Sequence, residues 1–308
     1  MDRLLAMALF TKIHEHGTLR HAAEELNIST AAATRLLAAL EAHLKVKLIE
    51  RSTRRNHLTA AGHEYYQQCK TFIAELNEAE AKISDSALEP EGTLNLTCSI
   101  SFAKLYVAPL LPEFHQKFPK IRINIVGDNR YYDILNSNVD IAIRTREFEP
   151  DSNITIRKLA TTKRILAASP AYLARKGHPK SIDELTQHDL LIYSHANQPT
   201  TLNFSYDQHA LPSFKFQPLM ESNDGQIVRA AALAGAGILI QPMYIIYEDV
   251  VAGRLIPLLS EYDLPLLTIN IAFQTRRYMP TKTRLFIDFL VEHFRKQEYE
   301  RYWNMRLL

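Results

Sequence analysis

From residue 63 to residue 88 the chain contains neither glycine nor proline. Over the same stretch Tyr65, Cys69, Phe72, Leu76, Ala79 and Ile83 follow one another at intervals of 4, 3, 4, 3 and 4. This is a 3.5-residue repeat held over nearly three heptads, the period at which a helix offers a narrow apolar seam to a second helix. A helix over 60–87 would run about 42 Å at the usual rise per residue. A rod of that length cannot hide its stripe in a small lobe, so these six residues are read as a dimerisation surface. Glu89-Pro90-Glu91-Gly92 ends the rod, with proline and glycine both acting as breakers. The 308 residues thus divide into a head at 1–60, a linker helix at 61–90 and a large C-terminal part at 91–308.

In the head, Leu4, Leu5, Ala8, Leu9 and Ile13 repeat with helical period, and Gly17 stops that helix. Thr18 caps a second helix at about 18–26, with Leu19, Ala22, Ala23 and Leu26 turned inward. After the turn at Asn27-Ile28, Ser29 caps a third helix at about 29–43, buried through Ala33, Leu36, Leu37, Leu40 and Leu44. Two helices joined by a short turn, with alanines where they cross, form a helix-turn-helix. Its outward residues are Ser29, Thr30, Ala31, Thr34, Arg35 and Ala38. Small side chains let the backbone approach a major-groove floor, and Arg35 can reach a guanine edge or a phosphate. The competing reading is a helical hairpin with a solvated polar face. What favours DNA is the segment after it. Leu48-Ile49 and His57-Leu58-Thr59 read as two short strands, and Arg51, Thr53, Arg54 and Arg55 form a basic wing tip between them. Charge agrees: residues 1–60 hold nine Lys/Arg against six Asp/Glu, and residues 61–90 hold two against six.

Beyond residue 92, strands at 93–99, 122–126, 140–144 and 164–168 alternate with helices, which implies βαβ units and a mostly parallel sheet. Ser169-Pro170 opens a helix, and Ser181-Ile182-Asp183-Glu184 reads as a capping box. Further elements are a helix at 225–234 ending at Gly235, strands at 237–241 and 268–273, and a last helix at 281–296.

The ordered set Thr18, Ala22-Ala23, Leu26, Ser29, Thr34-Arg35, Leu40-Glu41, Leu44, Leu48, Arg51, Thr53-Arg54, Leu58-Thr59 and Ala61-Gly62 resembles the LysR-type transcriptional regulators. Residues 140–144, 168–173, 223–225 and 231–238 extend the resemblance over about 290 residues. It implies an N-terminal all-α winged helix-turn-helix, a long linker helix, and a C-terminal α/β two-lobed sensor like the periplasmic binding proteins. The lobes would comprise about 91–162 with 268–298, and about 163–267. It also implies dimers, commonly paired into tetramers. Thr30 and Lys45 depart from the family pattern. The first would alter the base sequence read, and the second puts a side chain at a turn that often wants positive φ. The tail at 298–308 matches nothing in the family.

In open α/β sheets, ligands collect at the carboxyl ends of strands. Ser99, Ser101 and Phe102 follow the first sensor strand, so their hydroxyls and amides either hold an acceptor or simply cap the next helix. By resemblance the cleft is also lined near Asp128-Asn129, Thr145, Asn197 and Asn223-Asp224. Arg144 pairs either with an anionic effector or with a structural carboxylate such as Asp140, the second being favoured. With no clear cationic cluster, the sequence leaves the effector's charge open.

Composition excludes other classes. An apolar fraction of 46 % and a charged fraction of 23 % are those of globular protein. Apolar runs such as Ile238-Leu239-Ile240 are far too short to span a membrane. The N-terminus reaches polar Thr11-Lys12 without a signal-like core. Cys69 and Cys98 lie in different units, so a disulfide is not indicated; a reducing cytoplasm follows. Cys69 reads as a small apolar residue of the seam and Cys98 as an inert thiol. The histidines lack metal-ligand spacing, and there is no phosphate loop or activated nucleophile. The chain is therefore expected to be no enzyme and to carry no cofactor or metal. Its expected partners are double-stranded DNA with a roughly palindromic operator, a small-molecule metabolite and a second copy of itself, with RNA polymerase a further candidate.

Overall fold

The computed structural model describes residues 2–51, 56–83, 90–129, 139–146, 154–274 and 279–305. The chain forms two compact units, Met1–Leu88 and Glu89–Leu308.

In the first unit α1 (Arg3–His16) is capped by the Asp2 carboxylate and stops at Gly17, whose φ of 72° is the left-handed value glycine tolerates. The Thr18 hydroxyl caps α2 (Leu19–Glu25), and the Ser29 hydroxyl accepts from Ala32 N at 3.2 Å to start α3 (Thr30–Leu44). Lys45 ends α3 at φ 57°, so the departure from glycine is carried by a lysine in left-handed backbone. Strands β1 (Ile49–Arg51) and β2 (Asn56–Leu58) pair antiparallel, each shifted slightly from the sequence expectation. Leu9, Phe10, Ile13, Ala22, Ala33 and Leu40 form the core.

A buried carboxylate fastens the wing to this core. Glu41 accepts from Leu48 N at 3.0 Å and Ile49 N at 3.3 Å, and pairs with Lys47 Nζ at 2.6 Å. Burial alone pushes its pKa up, but these bonds outweigh it and hold the carboxyl below the ordinary range. The start of α4 (Ala60–Ile83) then packs directly on the wing backbone: a Cβ at Gly62 would sit 2.1 Å from Leu48 O. Only glycine permits that approach.

The seam on α4 needs one correction. Cys69 is fully buried within its own head, beside Tyr66 in the same cluster as Phe10 and Leu40, so it is closed to a partner helix. Tyr65 is partly buried and its ring lies 5.7 Å from that of Phe10. The stripe opens at Phe72, which is 50 % exposed, with Leu76 partly buried one turn on. The side chains of Ala79 and Ile83 lie outside the described residues.

The second unit contains two five-stranded sheets. The first runs β4 (Ile121–Gly127), β3 (Gly92–Cys98), β5 (Ile141–Arg146), β16 (Leu267–Gln274), β6 (Ile154–Thr162). The second runs β13 (Met220–Ser222), β8 (Leu190–Tyr193), β14 (Ile238–Pro242), β7 (Arg164–Ala168), β15 (Ile256–Leu258). Each is parallel on one side and antiparallel on the other, which corrects the expectation of a mostly parallel fold. The cause in the first sheet is that the late strand β16 returns between β5 and β6, running against both. Strand β6, unforeseen in the sequence, passes through Lys163 into β7, one crossover between sheets.

Helices cover these sheets. After β3 come α5 (Ile100–Phe102), a π turn at Ala103–Val107, a 3-10 turn at Ala108–Leu110 and α6 (Leu111–Lys117). The Ser169 hydroxyl and Pro170 open α7 (Pro170–Lys176) as expected. The capping box does not form as written. Asp183–Gln187 is a 3-10 turn, and Glu184 reaches back to Lys180 N instead. Two short pairs, β9 (Thr201–Leu202) with β12 (Phe214–Lys215) and β10 (Ser205–Tyr206) with β11 (His209–Ala210), were not foreseen. Helices α8 (Gly225–Leu233) and α9 (Met243–Val251) flank β14. Helix α10 (Thr281–Gln297) is followed by the unexpected α11 (Tyr299–Asn304).

That tail helix is part of the core. Trp303 is 1 % exposed, stacks on Tyr299 at 5.2 Å, and meets the Tyr106 ring edge-on at 5.1 Å. Its carbonyl accepts from Lys163 N at 3.4 Å, and Asn304 Nδ2 donates to Thr161 O at 3.1 Å, so the tail is bonded to the crossover. Among the described residues no helix is long and apolar enough to cross a membrane.

Candidate DNA interface and ligand cavity

The α3 face follows directly from its buried side. With Ala33, Leu37 and Leu40 inward, Ser29, Thr30, Ala31, Arg35 and Ala38 are exposed and Thr34 is partly buried. The Thr34 hydroxyl donates to Thr30 O at 2.9 Å, leaving its oxygen as an acceptor. Ser29 Oγ accepts from its own helix and keeps its proton to donate outward. Arg35 is the cation on this face. The wing backbone carries Arg51 in β1. Its side chain, and all of Thr53, Arg54 and Arg55, lie outside the described residues.

In the second unit one cavity of about 420 Å³ is lined from both sheets. Ser99, Ser101, Asp128, Asn129, Thr145 and Asn197, all foreseen, line it. Ser99 Oγ accepts from Phe102 N at 3.2 Å and lies 3.5 Å from Tyr244 Oη, so it caps the helix and also borders the cavity. Asn129 ties two segments together: it accepts from Ile100 N at 3.2 Å and donates to Asn223 O at 2.7 Å.

Three expected lining residues sit elsewhere. Phe102 is 1 % exposed, because its ring completes an aromatic cluster with Tyr106, Tyr244 and Phe294. Asp224 caps α8 by accepting from Gln226 N at 2.8 Å, and Asn223 supplies only its carbonyl, to Asn129. The neighbouring Gly225 lines the cavity instead.

Further residues, not expected from the sequence, line the cavity. Arg146, Arg164, Tyr193, His195, Gln241 and Tyr244 all border the space. Gln241 had a legible signal, an amide ending the apolar run Ile238-Leu239-Ile240. The expected Asp140 partner for Arg144 has other bonds. Asp140 accepts from Asn95 N at 2.9 Å and from Lys282 Nζ at 3.2 Å, while buried Arg144 lines the cavity. Burial pushes the Cys98 thiol up to about 12 and the Cys69 thiol up to about 11, which keeps both protonated near neutral pH. Among the described residues no group of three or more His, Cys, Asp or Glu is placed to hold a metal.

The family described as bacterial regulatory helix-turn-helix protein, lysR family, matches residues 4–63, and the LysR substrate binding domain matches residues 87–295. An HTH-type transcriptional regulator of Haemophilus influenzae is 36 % identical over 283 residues, covering 92 % of this chain and 97 % of that one. The regulator CrgA of Neisseria meningitidis is 31 % identical over 289 residues, covering 93 % and 95 %. The solved structure of CrgA superposes with a TM-score of 0.62 at 30 % identity, covering 94 % of this chain and 97 % of that chain. The full-length Vibrio cholerae virulence activator AphB gives 0.58 at 26 %, covering 93 % and 98 %. With both domain families in place, the chain belongs to the LysR-type transcriptional regulators, DNA-binding proteins that respond to small effectors and oligomerise, and not to any class of enzyme.

Proposed function

We propose that this regulator acts in the cytoplasm as a dimer, or a pair of dimers, on a roughly palindromic operator. Two α3 helices would enter successive major grooves, with Ser29, Thr30, Thr34 and Arg35 facing bases and phosphates. The wing residues Arg51, Thr53, Arg54 and Arg55 would hold flanking backbone. An effector held between the two sheets closes them on each other and shifts the balance between preexisting arrangements of the dimer. Contact with RNA polymerase is the further partner in this reading.

The observation that carries it is the exposed α3 face, capped by Ser29 and built from small and hydroxyl side chains around one cation. Arg35→Ala should weaken operator binding by about 1–3 kcal/mol while leaving folding intact. A salt-controlled gel shift against random competitor checks this; equal affinity of the variant would remove Arg35 from the interface.

The oligomer rests on the α4 stripe beyond Cys69. The double substitution Phe72→Glu and Leu76→Glu should yield monomers in sedimentation and lose most operator affinity, since a single half-site then binds alone. A dimer that persists in the double variant would reject α4 as the pairing surface.

A further inference from the structure

The recognition helix carries its own fastening to the wing. Thr30, Thr34 and Glu41 follow one another on α3 at intervals of four and seven, the spacing that keeps side chains on one side of a helix. The first two lie at the open end of that side, whereas Glu41 is 7 % exposed and lies under the root of the wing. Its Oε1 accepts from the backbone N–H groups of Leu48 and Ile49 at 3.0 and 3.3 Å, and its Oε2 from Lys47 Nζ at 2.6 Å. Leu48 and Ile49 are buried, and they are where the chain enters β1. From the other direction Thr59 N donates to Leu48 O at 3.0 Å and Thr59 Oγ1 to Lys47 O at 2.7 Å. Gly62 N in turn donates to Thr59 Oγ1 at 2.9 Å. The wing root is thus held between α3 and the start of α4. The wing itself is one pair of three-residue strands. A ribbon of that size is marginal alone, so the anchors at its root set where it stands relative to α3. Two elements that grip one duplex need a fixed spacing, within about half an ångström for a binding constellation.

Resting on the reading of α3 and the wing as the DNA interface, we propose that Glu41 is a positioning residue for operator binding. By tying Leu48 and Ile49 to the recognition helix, it sets where the wing meets the flanking phosphates.

The test uses the full chain and, as operator, a duplex that the wild-type protein selects from a random pool. Glu41→Leu keeps a side chain of similar size but leaves both N–H groups without their acceptor. It should bind that duplex about tenfold more weakly. Its affinity should also fall less steeply with salt, the slope dropping by about one for each phosphate contact that the wing loses. Glu41→Gln keeps an oxygen for Leu48 and Ile49 and should bring both readings back near the wild-type values. Glu41→Asp keeps the charge but is one methylene shorter, and should fall between; it carries the test if circular dichroism finds the leucine variant unfolded. In the Glu41→Leu background Arg54→Ala should cost less affinity than it does alone, because the wing is already displaced. Wild-type affinity in the leucine and aspartate variants overturns the proposal. A tenfold loss with an unchanged salt slope does so too, since Glu41 then serves only the fold of the head. A glutamine variant as weak as the leucine one assigns the effect to charge, and likewise rejects positioning. If Arg54→Ala alone leaves the salt slope at its wild-type value, the wing reading falls and takes the proposal with it, whereas the other outcomes leave that reading standing.

Discussion

Trp303→Ala is expected to destabilise the sensor unit by about 3–5 kcal/mol, the range for removing a large buried aromatic. The indole is wholly enclosed by Tyr299, Tyr106, Tyr244 and Phe294, and nothing nearby can collapse into the space without breaking those edge and stacked contacts. Because Trp303 is the only tryptophan in the chain, its own fluorescence reports unfolding of the native protein. The variant is followed by circular dichroism in urea. Trp303→Phe should lose clearly less, since the ring contacts partly survive. An unchanged midpoint for the alanine variant would mean that α11 contributes nothing to the sensor core. Ligand affinity should fall as well, because Tyr244 belongs to the same ring cluster and borders the cavity beside Ser99.

Asp249→Asn should cost about 3 kcal/mol. The carboxylate is fully buried and carries the bonds of two arginines: Arg229, through Nε and through Nη2 at 2.8 Å, and Arg254, through Nε at 2.8 Å. Removing one partner of a buried ion pair leaves cations uncompensated. The figure sits at the low end of the usual range because Arg254 is half-exposed and regains water. Burial alone raises the Asp249 pKa, yet the two arginines outweigh it and hold the carboxyl below the ordinary range. A folded-state pKa below the unfolded value gives stability that is present above the unfolded pKa of about 3.9 and lost as pH falls through the folded one. The wild-type protein therefore loses this contribution in acid, whereas the asparagine variant has none to lose. Chemical denaturation at neutral pH and at successively lower pH should show the gap between the two narrowing. A gap that stays constant would show that the pair does not titrate with unfolding.

The head was readable because each of its elements is written locally. Caps at Thr18 and Ser29, the stop at Gly17, and a helical apolar period are properties of neighbouring residues. What the sequence concealed depends on contacts far apart in the chain. Cys69 fits a seam by spacing, but it is buried in the core of its own head together with Phe10 and Leu40, which lie far from it in the chain. The order of strands was hidden because β16 comes from a segment more than one hundred residues after β5 and β6, and no local pattern states where it inserts. The cavity was half legible. Residues at the carboxyl ends of strands, such as Ser99 just after β3 and Thr145 in the last residues of β5, follow a topological rule, whereas Arg164 and Gln241 gain their place from two strands pairing antiparallel across the second sheet. Phe102 departs from the expectation because its ring joins Tyr244 and Phe294, residues far off in the chain that local spacing does not bring together.

The burial of Tyr66 and Cys69 in the head makes the first ten residues of α4, about 15 Å of helix, a rigid handle on the recognition unit. α4 packs on α1, and α1 packs in turn on α3, so this stretch of the helix and the recognition helix share one core. In a dimer paired through α4, a change in the spacing of two such heads would have to arise outside this buried stretch, with each head turning as one piece.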